Sequence, residues 1–264
     1  IGGRPFIGKV NISGCKNSTL PILAATLLSK GVHRLKNVPR LRDVTTFCHL
    51  LQGMGAETVW KQESRELLVD TTSVNKLEAP YDLVITMRAS VLVLGPLLAH
   101  YGEARVSLPG GCAIGARPID QHLKGLKLLG ADIELNEGYI YARARRLRGA
   151  HIYLDIPTVT GTENLMLAAC LADGTTIIEN AACEPEVLEL AQTIIDSGGK
   201  VYGAGTSSLE IHGMPNLSHI EHYIAPDRIE AGTFAIAAAI SRGQVEISDC
   251  IPEHLMALII KLME

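Results

Sequence analysis

An Ala/Leu-rich stretch of helical length that ends in Gly and runs into a short β-rich segment occurs four times in this chain. It is found at Thr19 to Gly31 with Val32-His33-Arg34-Leu35, and at Ala89 to Gly102 with Arg105-Val106-Ser107-Leu108. It returns at Asn164 to Gly174 with Thr175-Thr176-Ile177-Ile178, and at Ala231 to Gly243 with Gln244-Val245-Glu246-Ile247. The closing glycines stand about 70 residues apart, so the chain is an array of one supersecondary unit. Each unit continues with a Pro-containing or acidic connector, an amphipathic helix closed by a glycine pair or Gly-Ala, and an alternating hairpin. These continuations are Asp43 to Met54 with Thr58 to Val69, Asp120 to Leu129 with Ile133 to Ala142, and Glu186 to Ser197 with Val201 to Ile211. The fourth runs from Pro252 to Glu264 without its hairpin, so by internal symmetry the intact protein is expected to be longer. The start, Ile1-Gly2-Gly3-Arg4-Pro5, carries no initiator Met and no signal-peptide apolar region, and is expected to be trimmed or processed.

With 264 residues, 47% of them hydrophobic, the chain can bury one large core or two smaller ones. A net charge of -4 and only 4% aromatic residues argue against a basic nucleic-acid face or an aromatic stacking platform. The six cysteines form no C-x-x-C and the nine histidines no H-x-x-x-H. That spacing speaks against a metal site or a disulfide framework and fits a reducing cytoplasm. No apolar run reaches the ~18 residues that a membrane helix needs.

Any anionic ligand must therefore be met by a few placed cations, and the repeats show where. Ahead of the four apolar helices stand Gly14-Cys15-Lys16-Asn17-Ser18, Thr86-Met87-Arg88, Thr160-Gly161-Thr162-Glu163 and Pro226-Asp227-Arg228-Ile229-Glu230. A helix N-terminus carries unpaired N–H groups and partial positive charge, so the dipole does not account for Lys or Arg there; a bound anion does. Rotationally related units would bring Lys16, Arg88 and Arg228 to one face. Arg228 has a second explanation, pairing with Asp227 or Glu230. Between the second unit's strand and helix lies Leu108-Pro109-Gly110-Gly111-Cys112-Ala113-Ile114-Gly115-Ala116-Arg117-Pro118-Ile119-Asp120, a glycine-rich loop with one thiol and one guanidinium. Such a loop approaches a ligand closely, and the Arg117 fork suits a phosphate or carboxylate. It is also readable as a surface loop with an incidental cysteine.

Gly14-Cys15-Lys16-Asn17, Thr86-Met87-Arg88-Ala89-Ser90, the Leu108 to Asp120 loop, Glu179 to Glu186 and Pro226 to Glu230 together resemble the enolpyruvyl transferases. Within them they resemble the branch that opens bacterial peptidoglycan (cell-wall) synthesis in the cytoplasm. The resemblance runs from the first residues to the last. The shikimate-pathway branch shares the repeats but is not expected to carry the Cys112 loop.

The resemblance implies an α/β (α+β) fold of six βαβαββ units in two lobes, each an inverted, inside-out α/β barrel with helices inside. Residues 16–223 would form lobe one; residues 1–15 and 224–264 would belong to an incomplete lobe two. It implies transfer of the enolpyruvyl group of phosphoenolpyruvate to the 3'-hydroxyl of UDP-N-acetylglucosamine with release of phosphate, without metal or other cofactor, nucleic acid or membrane. Lys16, Cys112 and Arg117 would be catalytic, Cys112 also being the thiol alkylated by fosfomycin. Lys16, Asn17, Arg88, Arg117, Pro118, Ile119, Asp120, Gln121, His122, Thr158, Val159 and Thr160 would bind substrate. For Asp120 and His122 an ordinary role at a helix start stays open. The remaining cysteines read as packing residues or inert thiols. The general base and a further phosphate-binding arginine are expected beyond residue 264, and the 264-residue chain alone is expected to be inactive or very weak. The alternatives are a shikimate-type or otherwise diverged enolpyruvyl transferase with another acceptor, and a non-catalytic nucleotide-sugar-binding truncated paralogue.

Overall fold

The computed structural model describes residues 3–61, 64–84, 87–108 and 119–264. In chain order these form β1 (Ile7–Asn11), α1 (Lys16–Ala25), β2 (Val32–Lys36), α2 (Arg42–Gly53), β3 (Glu57–Lys61), β4 (Glu66–Asp70), β5 (Glu78–Ala79) and α3 (Tyr81–Val84). Next come α4 (Leu94–Tyr101), β6 (Glu103–Ser107), α5 (Asp120–Leu128), β7 (Asp132–Asn136), β8 (Tyr139–Arg143), β9 (His151–Tyr153), α6 (Val159–Ala169) and β10 (Thr175–Glu179). The chain finishes with α7 (Pro185–Asp196), β11 (Lys200–Tyr202), β12 (Ser208–His212), β13 (Glu221–Tyr223), α8 (Arg228–Ile240), β14 (Gln244–Ser248) and α9 (Met256–Met263).

Among the described residues the strands make three four-stranded sheets with one plan, β13-β2-β4-β3, β5-β6-β8-β7 and β9-β10-β12-β11. In each, the first pair is parallel and the rest antiparallel. The helices that lead into β2 and β10 lie at the centre: α1 is buried from Ser18 to Ala25 and α6 from Gly161 to Ala169. All-round burial suits the apolar later turns of both helices, and their polar first turns, Ser18 and Thr19 in α1 and Thr162, Glu163 and Asn164 in α6, are buried with them. Helices inside and sheets outside make the inverted α/β barrel expected from the sequence. The helices α2, α5 and α7 bury only one face each.

The repeat extends to single hydrogen bonds. Ile224 N–H donates to the Lys36 carbonyl (2.9 Å), Leu154 N–H to Glu179 (3.0 Å) and Ile12 N–H to Ser248 (3.0 Å), each one residue past the parallel strand. Asn37 and Asn180 leave β2 and β10 at φ 56 and 58. Their amides bond the carbonyls of Ile224 (2.9 Å) and Leu154 (2.8 Å), a conformation Asn tolerates. One element departs from expectation: Arg88–Val93, ahead of α4, is 3-10 rather than α-helical. At the junction the Asn164 side chain of α6 takes the Gly95 N–H (2.7 Å), satisfying a donor where the helix changes type.

Strand pairing in the first unit is exchanged. β1 precedes α1 yet pairs with β14, while β13 precedes α8 yet pairs with β2. The chain therefore crosses twice, and the crossings touch: Gly14 bridges Pro226, Cys15 N–H bonds the Ala225 carbonyl (2.8 Å), and Asp227 N–H bonds Ser13 (2.9 Å). Carboxylates hold both crossings. Glu230 accepts from Ser13 N–H (3.0 Å), and Glu189 accepts from Ala225 N–H (2.7 Å) while facing His222 at 2.9 Å.

Candidate functional site

Lys16 is the first residue of α1 and Arg228 the first of α8, so both follow directly on the crossings. The structure supplies each with a carboxylate that the sequence argument assigned to a bound anion. The Lys16 ammonium lies 3.0 Å from Asp43 in the first turn of α2, and both side chains remain 37% exposed. With three donors, Lys16 keeps capacity for a ligand. The Arg228 guanidinium is gripped by Glu186 through Nε (3.0 Å) and Nη2 (3.2 Å), so of its two sequence readings it follows ion pairing, with neither of the acids named for it. Asp227 instead caps α8 through Ile229 and Glu230 N–H and lies 3.4 Å from the Lys16 N–H.

A cleft of about 660 Å³ opens here, lined by Lys16, exposed Asn17 and Arg42, and by Asp43, Asp227 and Glu230. Three cationic or amide donors facing three carboxylates suit a ligand that carries both anionic groups and hydroxyls. The pairing of Asp43 with Lys16 and of Glu186 with Arg228 was missed from sequence because an acid in a helix's first turn already has an explanation in the dipole. Arg88 opens the 3-10 turn before α4, but its side chain, with Cys112, Arg117 and Pro118, lies outside the described residues.

The second group of expected residues also converges. Asp120 opens α5 and is exposed, Ile119 is half-buried, and Thr158 caps α6 by accepting from Gly161 N–H (3.3 Å). Val159 and Thr160 are half-buried at the same helix start. Gln121 and His122 are buried. Gln121 exchanges hydrogen bonds with Asp155 (3.0 Å in both directions). Lys124 also holds Asp155, at 2.7 Å, and these contacts keep its carboxyl below the usual range. The His122 ring spends both nitrogens on protein, Nδ1 on the Asn164 amide (2.9 Å) and Nε2 on the Thr160 hydroxyl (3.4 Å). Among the described residues no group of His, Cys, Asp or Glu is arranged to hold a metal.

Burial sets the protonation states of several groups through the core. Desolvation pushes the Cys15, Cys48 and Cys170 thiols up to about 11, 12 and 12, which keeps them unreactive near neutrality. Glu163 on α6 has a buried Oε1 without a partner; desolvation and the nearby Glu186 and Glu184 raise its carboxyl well above the ordinary range. Desolvation lowers His122 and His33 to about 4. His33 Nδ1 accepts the Ile220 N–H (3.0 Å), tying β2 to the approach of β13, and protonation would break that bond. A histidine held neutral in the fold contributes stability above its unfolded value of 6.5 that is lost as pH falls toward 4, of the order of 3 kcal/mol each at the limit. Glu163 acts with the opposite sign, the fold binding its proton more tightly. Two histidines against one carboxyl leave a net loss: the melting temperature should fall between pH 6.5 and 4, more steeply in Glu163→Gln. A flat melting profile across that window would contradict these assignments.

Comparison with known proteins agrees with this architecture. The profile of the EPSP synthase (3-phosphoshikimate 1-carboxyvinyltransferase) family matches residues 2–264. The chain is 56% identical over 261 residues to the UDP-N-acetylglucosamine 1-carboxyvinyltransferase of Desulfatibacillum aliphaticivorans, covering 99% of itself and 62% of that protein. It is 54% identical to the protein of the same name from Halorhodospira halophila, covering 100% of itself and 63% of that protein. The chain thus spans less than two thirds of the length of these curated relatives. Among solved structures it resembles the enolpyruvyl transferase NikO of Streptomyces tendae, with a TM-score of 0.77 at 25% identity over 88% of this chain and 55% of that one. EPSP synthase of Acinetobacter baumannii shares the fold, with a TM-score of 0.73 at 18% identity over 93% of this chain and 56% of that one. Four repeats, three like-ordered sheets around central helices and a profile match over nearly the whole length have one explanation: the chain belongs to the EPSP synthase family of enolpyruvyl transferases.

Proposed function

We propose that this chain serves a cytoplasmic transferase that moves the enolpyruvyl group of phosphoenolpyruvate to the 3'-hydroxyl of UDP-N-acetylglucosamine, releasing phosphate. The observation that carries the reading is a half-exposed lysine, Lys16, at a helix start inside a cleft, in a chain more than half identical to proteins named for that reaction. Lys16 binds the phosphate or carboxylate of phosphoenolpyruvate, with Asp43 holding its ammonium in place. Arg88 and Arg117 add positive charge against the same group, and preorganised donors of this kind stabilise charge that develops during addition and elimination. Asn17 contacts the sugar. Residues 117–122 and 158–160 hold the nucleotide sugar, Asp120 and Thr160 by direct contact and His122 by setting the Thr160 hydroxyl. Cys112 delivers a proton to the vinyl carbon or aids product release, and is the thiol that fosfomycin alkylates. Lobe one comprises residues 16–223, and residues 1–15 and 224–264 belong to lobe two, the boundary falling at the double crossing. No helix among the described residues is long and apolar enough to cross a membrane.

Fosfomycin labelling of Cys112 followed by mass spectrometry tests the reading. UDP-N-acetylglucosamine is expected to accelerate labelling, shikimate 3-phosphate is not, and Cys112→Ser is expected to abolish it. Acceleration by shikimate 3-phosphate instead would assign the chain a different acceptor, and labelling indifferent to both would remove the nucleotide sugar from the site.

A further inference from the structure

The segment that leads from β9 into α6 carries Thr158, Val159 and Thr160 to the site, and it is held from one side only. Leu154, at its start, is fixed twice, its N–H on the Glu179 carbonyl (3.0 Å) and its carbonyl on the Asn180 amide (2.8 Å). Thr158, at its end, caps α6. Between them Asp155, Ile156 and Pro157 are exposed, and Pro157 has no N–H to donate. Among the described residues, every hydrogen bond to these three comes from α5. Gln121 Nε2 donates to Asp155 Oδ2 (3.0 Å), and Gln121 Oε1 accepts the Asp155 N–H (3.0 Å). Lys124 Nζ donates to Asp155 Oδ1 (2.7 Å) and to the Tyr153 carbonyl (3.1 Å). The same Gln121 amide reaches back to Asp120 Oδ2 at 3.3 Å. One buried side chain thus joins the carboxylate that opens α5 to the connector that opens α6.

The pair of Lys124 with Asp155 is solvated, its side chains 40% and 59% exposed, so it adds little to folding stability. Its effect is local: without it the three-residue connector has only the Asp155 N–H to tie it down. We propose that Asp155 is a positioning residue for the nucleotide sugar, fixing the start of α6 against the start of α5 through Gln121 and Lys124. This rests on the reading given above, in which residues 117–122 and 158–160 hold UDP-N-acetylglucosamine. Asp155 does not touch the ligand. It orders residues 155–157 before the ligand arrives, so that their ordering does not oppose binding, and it keeps Asp120 and Thr160 in one arrangement.

Calorimetric titration of the 264-residue chain with UDP-N-acetylglucosamine tests this, together with the melting temperature of each variant without ligand. Asp155→Ala is expected to weaken binding roughly tenfold, the effect of ordering about one more backbone residue on binding. Its melting temperature should move by less than about 4 °C, since an exposed ion pair is lost. In a chain that already carries Gln121→Leu and Lys124→Met, the same substitution should weaken binding by less than about twofold further, because Asp155 then has nothing to act through. A further loss larger than that would make Asp155 a direct contact of the ligand and overturn the proposal. Unchanged affinity in Asp155→Ala, or a fall in its melting temperature beyond about 4 °C, would overturn it as well, the second by making the role one of general stability. Absence of saturable binding by the unsubstituted chain is a different result: it would remove the nucleotide sugar from the site and take the proposed function with it.

Discussion

Replacing Asn164 by Ala is expected to cost about 4 kcal/mol of folding stability, because two buried groups lose their partners at about 1–3 kcal/mol each and a small void is added. The Asn164 Oδ1 accepts the Gly95 N–H at 2.7 Å, and its amide reaches the Val91 carbonyl at 3.3 Å and His122 Nδ1 at 2.9 Å. The Val91 carbonyl keeps the Leu94 N–H as a second partner, so the uncompensated groups are the Gly95 N–H and the His122 ring nitrogen. A loss of this size is a large part of the ~5–15 kcal/mol that typically holds a domain folded. Asn164→Leu removes the void but not the orphaned groups, and should recover less than half of the loss. Urea denaturation measures both variants, and a change below about 1 kcal/mol for Asn164→Ala would mean that the contact between α4 and α6 does not depend on this side chain.

Gly14→Ala should be of similar size for a different reason. A Cβ at Gly14 would overlap the carbonyl oxygen of Asn37, and its close neighbours include the ring of Pro39. The obstacle is backbone, so relief requires moving a chain segment rather than turning a side chain, and a cost of about 3 kcal/mol or more is expected. The displaced segment is the first crossing, and Lys16 follows two residues later. On the proposed function, phosphoenolpyruvate binding is expected to weaken together with stability. Gly53 supplies the comparison: it lies in the last turn of α2 with nothing near its missing Cβ. Gly53→Ala should be neutral or stabilise by up to about 1 kcal/mol. Calorimetric melting of the two variants separates a steric requirement from the general cost of glycine; equal behaviour would contradict it.

The repeat was legible because its marks are local. A helix of Ala and Leu reports its own burial, Gly102 in the left-handed conformation at φ 81 closes α4, and alternation along β2 and β12 gives their inner faces. The helix starts that carry Lys16 and Arg228 were legible for the same reason. Their ion-pair partners were not: Asp43 lies 27 residues from Lys16 and Glu186 lies 42 from Arg228, and in sequence both look like ordinary first-turn acids. The His122 ring is a similar case, since its position at the start of α5 does not reveal that Asn164 and Thr160 of α6 take both nitrogens.

What the amino-acid sequence determined by itself was the unit, its fourfold recurrence and the placing of cations at helix starts, all of which depend on residues within a turn or a strand of each other. Only the tertiary structure decided which strand accepts which parallel partner: β1 joins β14 and β13 joins β2, although each helix connection taken alone would allow the reverse. Parallel partners share no turn that fixes their register, so the choice falls to contacts far apart in the chain. Here these are the bridge between Gly14 and Pro226 and the carboxylates of Glu189 and Glu230.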